Sequence, residues 1–203
     1  MTIEVRTLAG ADMLAHLDAL ARLRIAVFAA YPYLYDGNEE YEAGYLRHFA
    51  QEPGSVLVGA FDGDHLIGAA TASPMAAQPE DVRGPLEERG FQIGQIYYFG
   101  ESVLLPEYRG RGIGHAFFNH REAAARSAGA AHAAFASVDR PADHPSKPES
   151  YRPLDEFWQR RGYRRLPGVQ ARMWWKDHGE AEESEHSLTF WVGLLPVPLV
   201  PMH

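Results

Sequence analysis

The most constraining feature of the sequence is a strand-like segment that leads into a loop of glycines and arginines and then into a helix. The segment QIYYFGESVLL is the most strand-like of the chain and is closed by Pro106. The loop YRGRGIG, from Tyr108 to Gly114, combines three glycines with two arginines and precedes a helical pattern. Glycines let the backbone approach a ligand closely, and the first turn of a helix has unpaired N–H groups that bind anions. The arrangement predicts a phosphate or pyrophosphate site at the helix start.

Two known kinds of glycine loop that bind phosphate groups differ from this one in pattern or position. A P-loop needs Lys followed by Ser or Thr after its last glycine, and Ile113-Gly114-His115 stands there instead. A Rossmann fingerprint needs an acidic residue at the end of a later strand, which Asp139 supplies. That fingerprint normally lies near the start of a βαβ series, whereas here two helices and a hairpin come first. A plain glycine turn with solvated arginines stays open as the third alternative.

The remaining segments alternate between helical and strand patterns, which indicates mixed α/β structure in one domain covering residues 1–203. The predicted elements are a strand over 3–8, helices over 14–28 and 39–50, a hairpin of 56–61 and 66–71, a strand over 95–105, a helix over 115–129, a strand over 131–138, a helix over 154–162, and strands over 169–177 and 188–195. Residues 76–93 are predicted to be a surface insertion with one short helix around 85–89. The proline-rich tail, 196–203, cannot be a central strand.

Composition excludes several classes of function. The chain has 203 residues, 46% of them hydrophobic, and no cysteine, so disulfides, thiolate metal sites and a cysteine nucleophile are excluded. The formal net charge of −8 leaves no broad basic surface for nucleic acid. No apolar run approaches the roughly 18 residues of a membrane span, and the N-terminus lacks a signal-peptide pattern. The histidines show no metalloprotease-type pair. We therefore expect a cytoplasmic protein without metal, membrane or nucleic-acid partners.

The segment LLPEYRGRGIG closely resembles the acetyl-CoA signature of the GCN5-related N-acetyltransferases, the GNAT superfamily. That signature is Gln or Arg, two residues, Gly, one residue, then Gly or Ala, and here it is Arg109, Gly112 and Gly114. The late segment LDEFWQRRGYRR and the order of elements resemble the family too. The resemblance implies an α/β (α+β) fold with about seven strands in a mixed sheet and about four helices. Strands 4 and 5 splay apart in this fold, and Gly100 is predicted to mark the start of the splay or, alternatively, a tight packing contact.

The resemblance also implies how acetyl-CoA is held. The strand before Pro106 presents backbone groups to the pantetheine arm, and the glycine loop gives N–H groups to the pyrophosphate, with Arg109 ordering or contacting it. The implied cofactor-binding residues are Ser102, Val103, Leu104, Arg109, Gly110, Arg111, Gly112, Ile113, Gly114 and His115.

Acetyl transfer to an amine needs a proton acceptor, because an alkyl amine has a pKa near about 10. Glu101 lies on the strand that carries the thioester end of the cofactor, and it is the predicted general base. Its alternative role is that of a salt-bridged structural acid. A backbone N–H of the same strand is predicted to hold the negative charge that develops on the thioester oxygen.

The sequence departs from the family pattern where a Tyr often acts as general acid on the coenzyme sulfur. Trp158 stands at that position, and Tyr151 stands where the family often has an Asn. Tyr151 is the predicted proton donor, with unassisted departure of the thiolate as the alternative. Trp158 also keeps open a non-catalytic module that binds acyl-CoA as a sensor or scaffold. A transferase for a longer acyl chain is a further alternative.

The loop YPYLYDG joins the first two helices, where the family builds much of its acceptor pocket. Aromatic rings and an acid suit an ammonium-bearing acceptor, either a small molecule or a peptide, although they also suit plain packing. Tyr97 and Tyr98 alternate faces, so one of them should point to the acceptor side. The predicted substrate-binding residues are Tyr31, Tyr33, Tyr35, Asp36, Tyr97, Tyr98 and His144. The final strand either completes the sheet or pairs with a second copy in a homodimer.

Overall fold

The computed structural model describes residues 3–196, and its strands form one mixed sheet of seven strands. The strands are β1 (Ile3–Leu8), β2 (Val56–Asp62), β3 (His65–Pro74), β4 (Ile96–Leu104), β5 (His132–Val138), β6 (Arg164–Trp175) and β7 (Ser184–Leu194). Their order across the sheet is β1-β2-β3-β4-β5-β7-β6. Among these strands β4 and β5 run parallel, and the other neighbouring pairs are antiparallel. The predicted fold class is confirmed.

Six helices connect the strands of the described chain. They are α1 (Gly10–Ala15), α2 (Leu17–Phe28), α3 (Glu39–Gln51), α4 (Glu80–Glu88), α5 (Ile113–Ser127) and α6 (Asp155–Arg160). The four longer ones, α2 to α5, agree with the predicted number of about four. The single helix predicted over 14–28 is divided at His16, whose ψ of 0° interrupts the helical backbone.

Helices cover both faces of the sheet at its centre. Helices α2 and α3 pack on one face, in a cluster that includes Leu57 and Val103. Helix α5 packs on the other face, in a cluster that includes Val58 and Leu104. Neighbouring residues of one strand thus serve opposite faces, as the alternation of side chains along a strand requires. The face with α2 and α3, where the sequence predicts the acceptor site, is named the acceptor face, and the other is named the α5 face.

The sheet opens between β4 and β5. These strands pair from Ile96 to Tyr98 on β4 and from His132 to Ala134 on β5, and both then continue without pairing to each other. The pairing of β4 with β3 also changes register here, because Gly100 and Glu101 together stand opposite Thr71. A Cβ atom on Gly100 would lie 2.7 Å from the Thr71 hydroxyl oxygen. The predicted distortion at Gly100 is thus a β-bulge at the start of the splay, and it needs a glycine.

Segment 76–93 differs from the predicted surface insertion. Its helix α4 starts at Glu80, earlier than predicted, and its Val82 and Leu86 are buried in a cluster with strands β4 to β7. The sequence pattern hides this contribution because only two apolar residues of a polar helix face inwards. The segment supplies part of the core under β6.

The last strand completes the sheet, which was one of the two alternatives. Strand β7 lies between β5 and β6 and is paired along both edges. Neither edge of β7 is free to pair with a second copy, so the homodimer stays a prediction without support from this strand. The predicted proline-rich tail falls outside the described residues from position 197 onwards.

Candidate active site

The start of α5 forms a cradle of backbone N–H groups. Gly112 is the residue before the helix, and its φ of +82° lies in the left-handed region that favours glycine. No side chain caps this helix start among residues 3–196. The N–H groups of Ile113, Gly114 and His115 precede the first intrahelical bond, which Ala116 donates to the Gly112 carbonyl. A helix start with free N–H groups and a positive dipole end fits a pyrophosphate.

The two loop arginines lie beside this cradle. Arg109 donates from Nε and Nη2 to the Leu104 carbonyl at 3.4 Å, so it ties the loop back to β4. Arg111 donates to the Glu107 carbonyl at 3.0 Å and stacks over Tyr108. Both arginines are exposed and leave guanidinium N–H groups for an anion. Among the other cofactor residues, Ile113 is buried, so its backbone alone is available.

Backbone groups of β4 face the gap beside β5. The N–H of Glu101 donates to Thr71 Oγ1 at 3.1 Å, and the N–H of Leu105 donates to the Ile67 carbonyl at 3.0 Å, so both point towards β3. Because N–H directions alternate along a strand, those of Ser102 and Leu104 point into the gap. No strand of the described chain pairs with this stretch of the β4 edge. The edge can therefore bind an extended amide chain such as pantetheine.

A group of three buried charges lies on the acceptor face beside the bulge. Arg24 of α2 contacts Glu101 of β4, with 2.7 Å between Nη1 and Oε1, and its Nε donates to Glu42 of α3. The side chain of Glu42 is fully buried and that of Glu101 is 7% exposed. Two carboxylates share one guanidinium, so the group carries one excess negative charge. An ammonium ion is the ligand that such an excess favours.

Three tyrosines surround this group of charges. The pKa of Tyr45 is raised first by the negative charge of Glu101 and then by burial. Burial, with a contribution from Glu101, raises the pKa of Tyr33 to about 12. Burial also raises the pKa of Tyr98, with smaller contributions from its neighbours Tyr45, Tyr33 and Glu101. All three hydroxyls stay protonated at neutral pH, so they line the site as neutral hydrogen-bonding groups.

A second aromatic group, made of Tyr31, Tyr151 and His144, lies next to Tyr33. The ring centroid of Tyr31 is 4.7 Å from that of Tyr151 and 5.8 Å from that of His144. Burial raises the pKa of Tyr151, which keeps its phenol protonated. Trp158, at the family's Tyr position, instead packs its ring against Phe135 and Trp191 at 4.9 and 5.1 Å. Tyr151 thus packs against Tyr31 of the predicted acceptor loop, and its role as proton donor stays a prediction. Trp158 is part of an aromatic cluster.

Two predicted acceptor residues, Tyr97 and Asp36, lie away from the buried charges, and a third, Tyr35, meets them only at Glu42. Tyr97 points to the α5 face, where its hydroxyl donates to the Gly54 carbonyl, so Tyr98 alone of that pair reaches the acceptor face. Asp36 pairs on the surface with Lys176 at 2.5 Å and with His178 at 3.5 Å. Tyr35 packs against the core of α2 and α3, where burial and then Glu42 raise the pKa of its hydroxyl. Their positions favour structural roles.

The acceptor loop, residues 31–37, is anchored by Arg140 from the loop after β5. Arg140 donates to the carbonyls of Pro32 and Tyr33 at 2.8 and 2.7 Å. Its guanidinium also pairs with Asp177 at 2.7 Å, and the indole of Trp175 donates to the same carboxylate at 2.9 Å. These bonds hold Tyr31 and Tyr33 in place beside the buried charges.

Sequence reasoning missed Arg24, Glu42 and Tyr45, although a signal for the two charges was present. The buried residues of α2 are Leu17, Leu20, Ala21, Leu23 and Phe28, and Arg24 lies on the same helical stripe. Glu42 precedes Leu46 and Phe49 at helical spacing on α3. An arginine and a glutamate on the apolar stripes of successive helices indicate a buried ion pair.

The shared arginine gives a stability prediction. We expect Arg24→Met to lower the free energy of unfolding by about 3–5 kcal/mol, because two buried carboxylates lose their counter-ion. Urea unfolding followed by circular dichroism measures it. Arg22→Met changes an exposed arginine of the same helix and serves as the control; equal losses in both variants would contradict the shared ion pair.

Two other kinds of site are absent from residues 3–196. No group of three or more His, Cys, Asp or Glu side chains is placed to hold a metal ion. Within that same range, none of the helices has the length and apolar character needed to cross a bilayer.

Comparisons with known proteins agree with this fold. A family model described as the acetyltransferase (GNAT) family matches residues 20–163. Solved structures share the fold at low identity: yncA from Salmonella typhimurium with its cofactor acetyl-CoA (13% identity, 100% of this chain and 99% of that one, TM-score 0.61), an aminoglycoside 6'-N-acetyltransferase complexed with coenzyme A (16%, 100% and 99%, 0.58), and PaiA N-acetyltransferase from Thermoplasma acidophilum in complex with coenzyme A (14%, 96% and 99%, 0.53). No curated protein has a matching sequence.

Proposed function

Because this chain belongs to the GNAT acetyltransferase family, we propose that it transfers the acetyl group of acetyl-CoA to a primary amine by direct attack. One observation carries the proposal: the edge of β4 that β5 leaves unpaired leads at one end, through the next loop, to a helix start with free N–H groups, and begins at the other end with a buried carboxylate. A pyrophosphate suits the first and an ammonium ion suits the second. The two substrates of amine acetylation carry these two groups.

The residues proposed to hold acetyl-CoA follow from the free backbone groups. The N–H groups of residues 113–115 would bind the pyrophosphate, and Arg109 and Arg111 would add positive charge beside it. Ser102 and Leu104 would bind the pantetheine arm along the open edge of β4, with buried Val103 between them fixing the strand. When bound, acetyl-CoA supplies an acetyl group activated as a thioester. The complexes with acetyl-CoA or coenzyme A among the solved structures support this assignment.

Glu101 is the proposed general base. The acceptor amine is protonated at neutral pH, and it must lose a proton before it can attack. The Glu101 carboxylate lies on the acceptor face at the start of the gap, next to the hydroxyls of Tyr33 and Tyr45. It can accept that proton directly or through a water molecule.

The second carboxylate, Glu42, keeps the charge of Arg24 neutralised when Glu101 takes up a proton. Arg24 contacts both Glu101 and Glu42, so a protonated Glu101 leaves the guanidinium paired with Glu42. Without Glu42, each proton accepted by Glu101 would leave a buried arginine uncompensated, which is costly. Glu42 is therefore proposed to keep Arg24 neutralised throughout the reaction.

Two further groups complete the proposal. The N–H of Ser102 points into the gap and would donate to the oxygen of the acetyl group, where negative charge develops. The Tyr151 phenol stays protonated and is the proposed proton donor for the coenzyme sulfur. The absence of cysteine favours direct transfer over a thioester intermediate on the protein.

The excess negative charge beside Glu101 and the surrounding tyrosines suit an acceptor that approaches as an ammonium ion. Small amines and peptides with a free amino group both meet this requirement. A cytoplasmic location stays a prediction from composition.

The experiment is a coenzyme A release assay across a panel of polyamines, aminoglycosides, amino acids and peptides. We expect thiol release that depends on one class of amine and saturates with acetyl-CoA. Tight acetyl-CoA binding with no release for any amine would favour the sensor or scaffold alternative. Faster release from a longer acyl-CoA would favour the alternative donor.

A further inference from the structure

Arg121 is a buried cation on the helix that follows the glycine loop. It lies on the inner stripe of α5 between Phe118 and Ala125, and it is 2% exposed. Within residues 3–196 no carboxylate oxygen lies within salt-bridge distance of its guanidinium, and its Nε has no hydrogen-bond partner. Burial lowers the pKa of Arg121 to about 10, so it stays charged at neutral pH. Burying an ion costs several kcal/mol, so this position needs a physical reason.

The guanidinium is aimed at the β-bulge from the α5 face. Its Nη1 donates to the Glu101 carbonyl at 3.2 Å and to the Thr71 carbonyl at 3.4 Å. Its Cζ atom lies over the rings of Phe99 and Phe118, at 4.5 and 4.8 Å from their centroids. Arg121 thus links β3 to β4 at the point where β4 separates from β5.

The Glu101 carbonyl belongs to the same peptide unit as the N–H of Ser102. In a trans peptide these two groups point in opposite directions. The carbonyl is bonded to Arg121, and the N–H points into the gap where the acetyl group is proposed to lie. A cation on the carbonyl oxygen draws electron density from the amide nitrogen, which makes the N–H a stronger donor.

We propose that Arg121 is a positioning residue that fixes and polarises the peptide between Glu101 and Ser102, so that the Ser102 N–H stabilises negative charge on the acetyl oxygen. The inference rests on the proposed function. It adds a charge on the α5 face to a site whose other charged groups lie on the acceptor face. The preorganised cation costs no rearrangement when the charge develops.

The test combines kinetics with the infrared spectrum of acetyl-CoA labelled at its carbonyl carbon. The wild-type protein should shift the carbonyl stretch of bound acetyl-CoA to lower frequency. Arg121→Gln, which keeps an N–H donor but loses the charge, should reduce this shift and lower kcat by roughly tenfold. Arg121→Lys should keep most of the shift, and Kd for acetyl-CoA should stay within about threefold in both variants. Arg126→Gln, on the same helix, is the control and should behave as wild type.

The outcomes separate this inference from the proposed function. No binding of acetyl-CoA to the wild-type protein would contradict the proposed function itself. Binding with an unchanged carbonyl shift and unchanged kcat in Arg121→Gln would overturn the role of Arg121. If Arg121→Gln fails to fold, Arg121→Lys is the deciding variant, because it keeps the positive charge. Loss of the carbonyl shift in Arg121→Lys would overturn the inference. A carbonyl shift like that of wild type would support it.

Discussion

Glu101→Gln is expected to lower kcat/KM for the amine by roughly 10²- to 10⁴-fold at neutral pH, with unchanged affinity for acetyl-CoA. Glutamine has the same shape and can still contact Arg24, which keeps Glu42 as its counter-ion. The fold and the cofactor site should therefore survive, while the proton acceptor is lost. Steady-state kinetics and acetyl-CoA titration of the same preparation measure the two effects.

The pH dependence sharpens this prediction. Without a base, the variant can use only amine molecules that are already neutral. Below the amine pKa, the neutral fraction increases about tenfold for each unit by which the pH is raised. The activity of Glu101→Gln should therefore approach that of wild type as the pH rises. Glu88→Gln, an exposed glutamate on α4, is the control and should keep full activity. If Glu101→Gln kept wild-type activity at neutral pH, Glu101 would not be the general base, and only its alternative role as a salt-bridged structural acid would stand.

Gly112→Asp is expected to weaken acetyl-CoA binding by roughly a thousandfold. A carboxylate placed about 4 Å from a phosphate costs about 4 kcal/mol at the effective dielectric constant of a protein surface. Open space surrounds the position where a Cβ would lie, so the side chain itself meets no steric barrier. Titration calorimetry with acetyl-CoA measures the loss directly.

The matched control is Gly112→Asn, because asparagine has the same size and tolerates positive φ better than most residues. It shares the backbone cost of Gly112→Asp without the charge, so its affinity should fall far less. Equal affinities in the two variants would show that charge at this position does not matter. Unchanged affinity for acetyl-CoA in Gly112→Asp would contradict the proposal that the pyrophosphate binds at the start of α5.

Much of the secondary structure could be predicted from local sequence patterns. The strand before Pro106, the glycine loop and the helix after it could be predicted because each depends on neighbours in sequence. The break at His16 and the burial of Val82 and Leu86 could not, since they depend on what the helices pack against. The bulge at Gly100 was one of two predictions for a glycine inside a strand pattern, the other being a tight packing contact.

The bulge also explains why the acceptor site was only partly predictable. Tyr98 and Glu101 are three residues apart and would face opposite sides of a regular strand. The extra residue at the bulge brings both to the acceptor face and leaves Tyr97 on the other. Alternation alone therefore could not decide which tyrosine accompanies Glu101.

The partners of Glu101 required tertiary contacts that no local pattern contains. Arg24 and Glu42 come from two helices far from β4 in sequence, and they meet only when both helices pack on the sheet. Their charged side chains on apolar stripes were nevertheless a signal. Arg121 gives the same signal on α5, so three core-facing charges mark the bulge from both faces.

The central claim is that the acetyl group passes directly from acetyl-CoA to an amine bound beside Glu101. Single-turnover transfer tests it most directly: excess enzyme is mixed with acetyl-CoA carrying a labelled acetyl group and with the best amine of the panel, then quenched at successive times. The label should leave acetyl-CoA and appear on the amine at the same rate, with none attached to the protein at any time. Label trapped on the protein, or label that stays on acetyl-CoA with every amine, would contradict the account.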